Sequence, residues 1–322
     1  MNAPSSPSDR PDFLDHDRPP VPDLVIPRGV CPFHLGRKPV RGRLVRLGSL
    51  TDAILARRDT PEPVARMLGE ALALTAGLAS ALKYRGSFSM QAKGDGPVPM
   101  LLADCTHQGE LRGYVRVEPA KLALYGRQPS PRAMLGRGYL AFTCDQGPEM
   151  DRYQGIVAIE GRDLTEMTGE YFATSEQLRS HVRLACARTE AGWRAAAFIM
   201  ERVAGEGGVD PEMDREAQDD AWDTAVVLAN TLTDEEMLDD ALPPERLLHR
   251  LFHLEGLEVD MPRALSYGCR CSRSRLAGVL QGFAESDLDH MAEAGTITMT
   301  CEFCNFDFCF SREDVRGAAG HA

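Results

Sequence analysis

The chain has 322 residues, 43% of them hydrophobic and 26% charged, with a formal net charge of −12. That length and apolar content suit one large folded domain with one or two small ones. The negative excess repels nucleic acid and anionic lipid, and no apolar run of about 18 residues marks a membrane span.

The amino-terminal stretch MNAPSSPSDRPDFLDHDRPPVPD is rich in Pro, Ser and Asp and has no apolar segment of the secretory kind. Residues 1–36 are therefore expected to be a disordered tail in a cytoplasmic chain. Residues 37–204 read as a large α+β core domain. VRGRLVRLG (Val40 to Gly48) alternates as a strand. A helix follows from about Pro61 to Lys83, with Val64, Met67, Leu68, Ala71, Leu72, Leu78 and Leu82 on one face and Thr60 as its expected cap. SFSMQAKGDGPVPMLLADCT predicts two strands around the turn Gly94-Asp95-Gly96-Pro97. LRGYVRVE, GYLAFTCD and YQGIVAIEG continue the strand pattern. Asp163 to Leu178 is helical, and HVRLACART and WRAAAFIMERV close the domain.

Residues 205–258 read as an acidic, partly helical linker. Between Glu206 and Asp240 there are 13 acidic residues and one basic residue, Arg215, so this stretch carries the whole net charge. AWDTAVVLANTL and PERLLHRLFHLEG have helical spacing, with Leu247, Leu248, Leu251 and Phe252 as a stripe and Gly256 as an expected C-cap. Self-repulsion makes such a segment easy to unfold, and its stripes are sticky once released. A plain solvated hinge is the alternative. His249 and His253 stand i, i+4, but HRLFH lacks the glutamate of HExxH, and both read as surface residues.

Residues 259–318 form a small zinc-binding module. Four of the nine cysteines fall in two pairs, Cys269-x-Cys271 and Cys301-x-x-Cys304, separated by 29 residues. Four thiolates around one tetrahedral Zn²⁺ is the usual closed arrangement. Leu276, Val279, Leu280 and Phe283 predict one helix, and Ser286 to Met291 a second, capped by Ser286 and ended by Gly295. Ile297 and Met299, then Phe306, Phe308 and Phe310, alternate as strands. Gly268 gives flexibility before the first pair, and Asn305 tolerates the left-handed conformation a metal knuckle needs. Arg270, Arg273 and Arg275 can offset the −2 formal charge of a four-thiolate zinc site. Structural zinc contributes roughly 10–16 kcal/mol in small peptides. A module of about 60 residues cannot replace that from its own core. Losing the metal should unfold it. Cys309 is expected to be a packed thiol, and Cys31, Cys105, Cys144 and Cys186 core residues.

The segments GCRCSRSR, TCEFCNF, QAKGDGP (Gln91 to Pro97), LRGYVRV (Leu111 to Val117), RYQGIVAIEG (Arg152 to Gly161) and EYFATSEQL (Glu170 to Leu178) resemble the redox-regulated heat shock protein 33 chaperones, the 33 kDa chaperonin family. The resemblance covers about residues 38 to 316. It implies one zinc held by Cys269, Cys271, Cys301 and Cys304 in a reduced, inactive state. It further implies that oxidants join Cys269–Cys271 and Cys301–Cys304 as disulfides, that zinc leaves, and that module and linker unfold. The chain would then dimerise and hold unfolding client proteins without ATP until foldase chaperones take over. Members often carry Glu at Ser274 and Gly at Asn305, neither of them a ligand position.

No GxxxxGK[ST] phosphate loop occurs, consistent with a non-enzymatic holdase. A zinc-ribbon nucleic-acid binder is disfavoured because residues from Asp260 onward hold six Lys and Arg against nine Asp and Glu. A thiol oxidoreductase would place its CxxC at a helix start beside a thioredoxin-like core, whereas aromatic alternation follows Cys304. A metal hydrolase needs an open coordination position that a four-sulfur site lacks.

Overall fold

The computed structural model describes residues 21–147, 150, 152–203, 210 and 213–317. The chain divides into two units, one spanning Leu24–Gly268 and the other containing Cys269 onward. The amino-terminal tail up to residue 20 and most of residues 204–212 lie outside the described residues.

The larger unit is built on an eleven-stranded sheet. In chain order come β1 (Val25–Leu35), β2 (Val40–Arg46), helices α1 (Ser49–Leu55) and α2 (Glu62–Ala81), then β3 (Ser87–Gly94), β4 (Met100–Thr106) and β5 (Glu110–Arg116). Short helices α3 (Pro119–Leu122) and α4 (Pro131–Leu135) lead to β6 (Gly138–Asp145), β7 (Tyr153–Ala158) and α5 (Leu164–Tyr171). After a π-helical turn at Phe172–Glu176 come β8 (Ser180–Thr189) and β9 (Gly192–Arg202). Helices α6 (Arg215–Ala229), α7 (Asp234–Leu238) and α8 (Pro244–Phe252) and strands β10 (Leu257–Val259) and β11 (Arg263–Tyr267) complete it. The strand order is β7-β6-β3-β4-β5-β11-β1-β2-β9-β8, with β10 paired to β1. The pairing is antiparallel except for β11 beside β5.

Helix α2 is the central buried helix. It is long and apolar enough to span a membrane, but most of its apolar window is buried against the sheet. Gly77 lets it come close: a Cβ there would meet Ile199 Cδ1 at 2.6 Å. The opposite face of the β1–β2–β9–β8 half carries Phe33, Leu44, Ala185, Phe198 and Met200, and α6, α7 and α8 cover it. Trp222, Ala225, Met237, Leu247, Leu248, Leu251 and Phe252 point down into that core. The rings of Phe33, Phe198 and Phe252 stack on one another at 5.5–6.3 Å.

Several expectations need correction. Residues 25–35, assigned to the tail, form β1, whose alternation is masked by Pro27, Gly29 and Pro32 and by a register shift between Ile26 and Val30. Residues 263–267, assigned to the zinc module, form β11 of the large sheet, and β10 (Leu257–Val259) straddles the expected boundary between linker and module. Helix α2 is capped at Pro61, with no side-chain cap from Thr60. Helix α8 ends with His253 as its cap, and Gly256, at φ +76°, turns the chain three residues later. Cys31, Cys105, Cys144 and Cys186 are buried as expected. Burial pushes these thiols up, Cys105 to about 12, which makes them poor nucleophiles.

The smaller unit holds α9 (Arg273–Leu280), α10 (Glu285–Met291), the hairpin β12 (Thr296–Thr300) and β13 (Asp307–Ser311), and α11 (Arg312–Gly317). Ala277, Leu280, Leu288, Ile297, Phe308, Phe310 and Val315 are its buried apolar residues. That is a thin core for a free-standing fold. Helix α10 is capped at Ala284, without a side-chain bond, so Ser286 is not its cap.

Candidate metal centre

Strand β11 delivers the chain to the first cysteine pair. Its last residue, Tyr267, is followed by Gly268, where a Cβ would lie 2.6 Å from the Glu110 carbonyl carbon. Glycine stands there for close backbone approach rather than for flexibility. Beyond Cys271, Ser272 caps α9 by accepting the Arg275 backbone N–H at 3.2 Å. The cap stops the helix from running back through the cysteines.

The second pair sits on a tight knuckle between β12 and β13. The Asn305 N–H donates to the Cys301 carbonyl at 2.8 Å, and the Cys301 N–H to the Phe306 carbonyl at 2.9 Å. Asn305 takes φ +55°, the left-handed conformation expected of it.

These two turns bring Cys269, Cys271, Cys301 and Cys304 together. All four are buried, and their Sγ atoms lie within 4.8 Å of one another. The Sγ–Sγ distances are 3.4 Å for Cys269–Cys271, 3.7 Å for Cys269–Cys301 and 3.5 Å for Cys271–Cys304. A tetrahedron of sulfurs about 2.3 Å from a central ion has edges of about 3.8 Å. The donor set therefore fits a closed four-sulfur metal site. It is the one such cluster of metal-ligating side chains among the described residues. His249 and His253 lie outside it, stacked on each other at 5.2 Å on the exposed face of α8.

Four sulfurs this close cannot all carry charge unless a cation sits among them. Contact with the Cys269 sulfur is the main cause that pushes the Cys271 and Cys304 thiols up. Thiol hydrogen bonding, from Cys271 and from Cys269 respectively, draws Cys269 and Cys301 down. A divalent cation among the four sulfurs would displace the thiol protons.

Of the three arginines expected to offset the centre, Arg273 acts as a brace. Its guanidinium lies 4.6 Å over the Phe310 ring and donates to the Cys309 carbonyl at 2.7 Å and to Asp314 at 2.9 Å. It ties α9 to β13 and α11. Arg275 donates to the Arg270 carbonyl at 2.7 Å, stiffening the loop through the first pair. Cys309 departs from expectation. It is exposed on the face of β13 opposite Phe308 and Phe310, facing Thr298, so it is neither packed nor part of the quartet.

The sequence reading missed a second set of contacts, those between the sheet and helices α6 to α8. Arg179 reaches Asp219 and Asp223, Arg183 reaches Asp234, and Arg194 reaches Asp240 at 2.6 Å. Buried Arg46 donates to the Glu236 and Leu242 carbonyls. Asp219, Asp223, Asp234 and Asp240 of the acidic run are therefore paired with the sheet, which offsets part of its self-repulsion. The only sequence signal for it was the presence of Arg179, Arg183 and Arg194 in and beside the largely apolar β8 and β9.

Comparison with known proteins gives one consistent answer. The family model described as Hsp33 protein matches residues 29–311. A 33 kDa chaperonin of Caulobacter vibrioides is 39% identical over 294 residues, covering 88% of this chain and 95% of its own. A 33 kDa chaperonin of Pseudomonas aeruginosa is 36% identical over 278 residues, covering 86% and 89%. In fold, the chain is similar to the crystal structure of a 33 kDa chaperonin from Thermotoga maritima, with TM-score 0.74, 21% identity, and coverage of 90% and 97%. With the match spanning both the large sheet and the cysteine quartet, the chain belongs to the Hsp33 family of chaperonins.

Proposed function

We propose that this protein is an ATP-independent holdase kept inactive while its four cysteines are reduced and zinc-bound, and activated when they are oxidised. The observation that carries the reading is the buried four-sulfur cluster, whose spacings suit tetrahedral coordination. Zinc there would be held by Cys269, Cys271, Cys301 and Cys304; it would keep the sulfurs as thiolates and supply folding energy that the small core lacks.

Oxidation takes two electrons from each cysteine pair and forms one S–S bond per pair. Hydrogen peroxide accepts each electron pair together with two protons and is reduced to two molecules of water. Within-pair bonds, Cys269–Cys271 and Cys301–Cys304, are what the family resemblance implies; the cross-pair contacts Cys269–Cys301 and Cys271–Cys304 lie at 3.7 and 3.5 Å, against 3.4 Å for Cys269–Cys271. Either way no thiolate remains to bind metal, and the unit from Cys269 onward loses its organising centre. Cys269 follows β11 by two residues, and β11 follows β10 and α8. Unfolding that begins at Cys269 can therefore pull strands from the sheet and loosen α6–α8. Release would uncover Phe33, Phe198 and the linker stripe, giving apolar surface for unfolding clients. Dimerisation after oxidation, hand-over to foldases and a cytoplasmic setting belong to the same proposal.

The test measures zinc content and suppression of client aggregation before and after peroxide at mildly elevated temperature. One zinc per reduced chain, lost as holding activity appears, is the expected result. A reduced protein that is metal-free yet folded from Cys269 onward would overturn the reading.

A further inference from the structure

The linker helices occupy the sheet as a ligand occupies a site. The floor is apolar, formed by Phe33, Leu44, Phe198 and Met200. The rim is cationic and comes from the sheet side. Arg179 holds Asp219 at 3.1 Å and Asp223 at 3.2 Å, and its guanidinium lies 5.8 Å over Trp222. Arg183 holds Asp234 at 3.1 Å and Arg194 holds Asp240 at 2.6 Å. Lys38 with Glu255 and Arg28 with Glu245 extend the rim toward α8. In each of these pairs the sheet supplies the cation and the linker the anion. Of the three helices that occupy it, α6 and α7 are apolar on one face and acidic on the other, whereas α8 exposes Arg246, His249 and Arg250.

We propose that the arginine rim selects among clients: segments taken up on the floor that the linker vacates are both apolar and acidic, because the rim cations lose their acidic partners when the linker lifts. The inference rests on the holdase reading above and names the client class. An acidic segment satisfies the rim as the linker does. A basic segment leaves Arg179 and Arg183 without partners beside like charges, which costs affinity.

The test uses a labelled 15-residue peptide with the sequence of Arg215–Ala229. Its counterpart carries Glu216→Lys, Asp219→Lys, Asp220→Lys and Asp223→Lys. Anisotropy titrations use the oxidised full-length chain and, separately, a reduced full-length Phe252→Ala variant in which the linker is loosened without oxidation. The acidic peptide should bind about tenfold tighter, as several exposed ion pairs each worth about a factor of two imply. Added salt should shrink the difference. Arg179→Glu with Arg202→Glu, the two arginines that hold Asp219 and Asp223 of this helix, should abolish or reverse it, and the milder Arg179→Gln with Arg202→Gln should reduce it where the first pair fails to fold. Equal affinities, tighter binding of the lysine peptide, a salt-independent difference, or no binding of either peptide to either protein would overturn the proposal. If the oxidised chain holds clients without charge preference, the docking inference fails alone. If only the loosened variant shows the preference, the redox reading fails and the docking surface stands.

Discussion

Replacing Phe252 with alanine tests whether the linker is held by its apolar face. Phe252 is fully buried, and its ring stacks on Phe33 at 5.5 Å and Phe198 at 6.3 Å. Truncating a buried phenylalanine costs about 3–5 kcal/mol, of which two aromatic pairs account for about 0.5–1.5 kcal/mol each. At 1.4 kcal/mol per factor of ten, opening of α6–α8 should become roughly a hundred- to several thousandfold more frequent. Hydrogen exchange of residues 215–252 in the reduced, zinc-loaded protein reads this directly, and client aggregation assays read its consequence. The expected result is fast exchange across the three linker helices with zinc retained, and partial holding activity without oxidant. Phe142→Ala is the control. Phe142 is equally buried, but packs with Phe88 and Tyr171 away from the linker. It should lower global stability without selectively opening the linker. Unchanged exchange in Phe252→Ala, or equal opening in Phe142→Ala, would refute the reasoning.

Cys301→Ser should reduce zinc stoichiometry and unfold the unit from Cys269 onward, giving partly constitutive holding; metal analysis with near-ultraviolet circular dichroism checks it. Glu201→Gln should destabilise the sheet by about 3–5 kcal/mol in urea unfolding, because it leaves Arg43 buried beside a neutral partner. Burial works against the Glu201 charge, but Arg43 and Arg41 outweigh it and hold its carboxyl below the ordinary range. Its contribution is therefore present above the unfolded carboxylate pKa and lost as pH falls through the folded value. Glu70 behaves oppositely. Burial first, then Asp163, pushes it up to about 7. The folded state holds the extra proton, so stability falls as pH rises from about 4.5 to about 7. Glu70→Gln should stabilise the chain at pH 8, on the order of 2–3 kcal/mol, and flatten that pH dependence. Equal stability curves at pH 5 and pH 8 in the parent would contradict this.

What was legible in the sequence was local. The two cysteine pairs carry their spacing in the chain, and Asn305 and the strand alternation around it fix the knuckle. The stripes of α6 and α8 predict which faces are buried. Helix α7 was missed although Thr233 and Glu236 form a reciprocal capping box, because five residues give no periodicity. Strand β1 was missed because Pro27, Gly29 and Pro32 interrupt its alternation, and β10 and β11 because three and five residues are too short to show one. The fate of the acidic run was illegible for a different reason. Its partners, among them Arg179, Arg183 and Arg194, lie about 40–50 residues upstream in sequence, so composition alone read pairing as repulsion.

That pairing changes the physical argument for release. A self-repelling linker would be loose in every state, and the inactive form would leak. A linker held by exposed ion pairs worth roughly 0.2–1 kcal/mol each, over an apolar floor worth several kcal/mol, stays down until its attachment is disturbed. The ion pairs fix which helix face meets the floor, since misregistered docking would strand Arg194, which is 7% exposed, without Asp240. The floor provides most of the hold. A trigger acting through β11 need not neutralise any charge; it has only to remove the strand that anchors the end of α8, after which the linker's own dense acid favours the extended state. On this account moderate salt should lower the oxidant dose needed for activation, whereas in a linker governed by repulsion it would raise that dose.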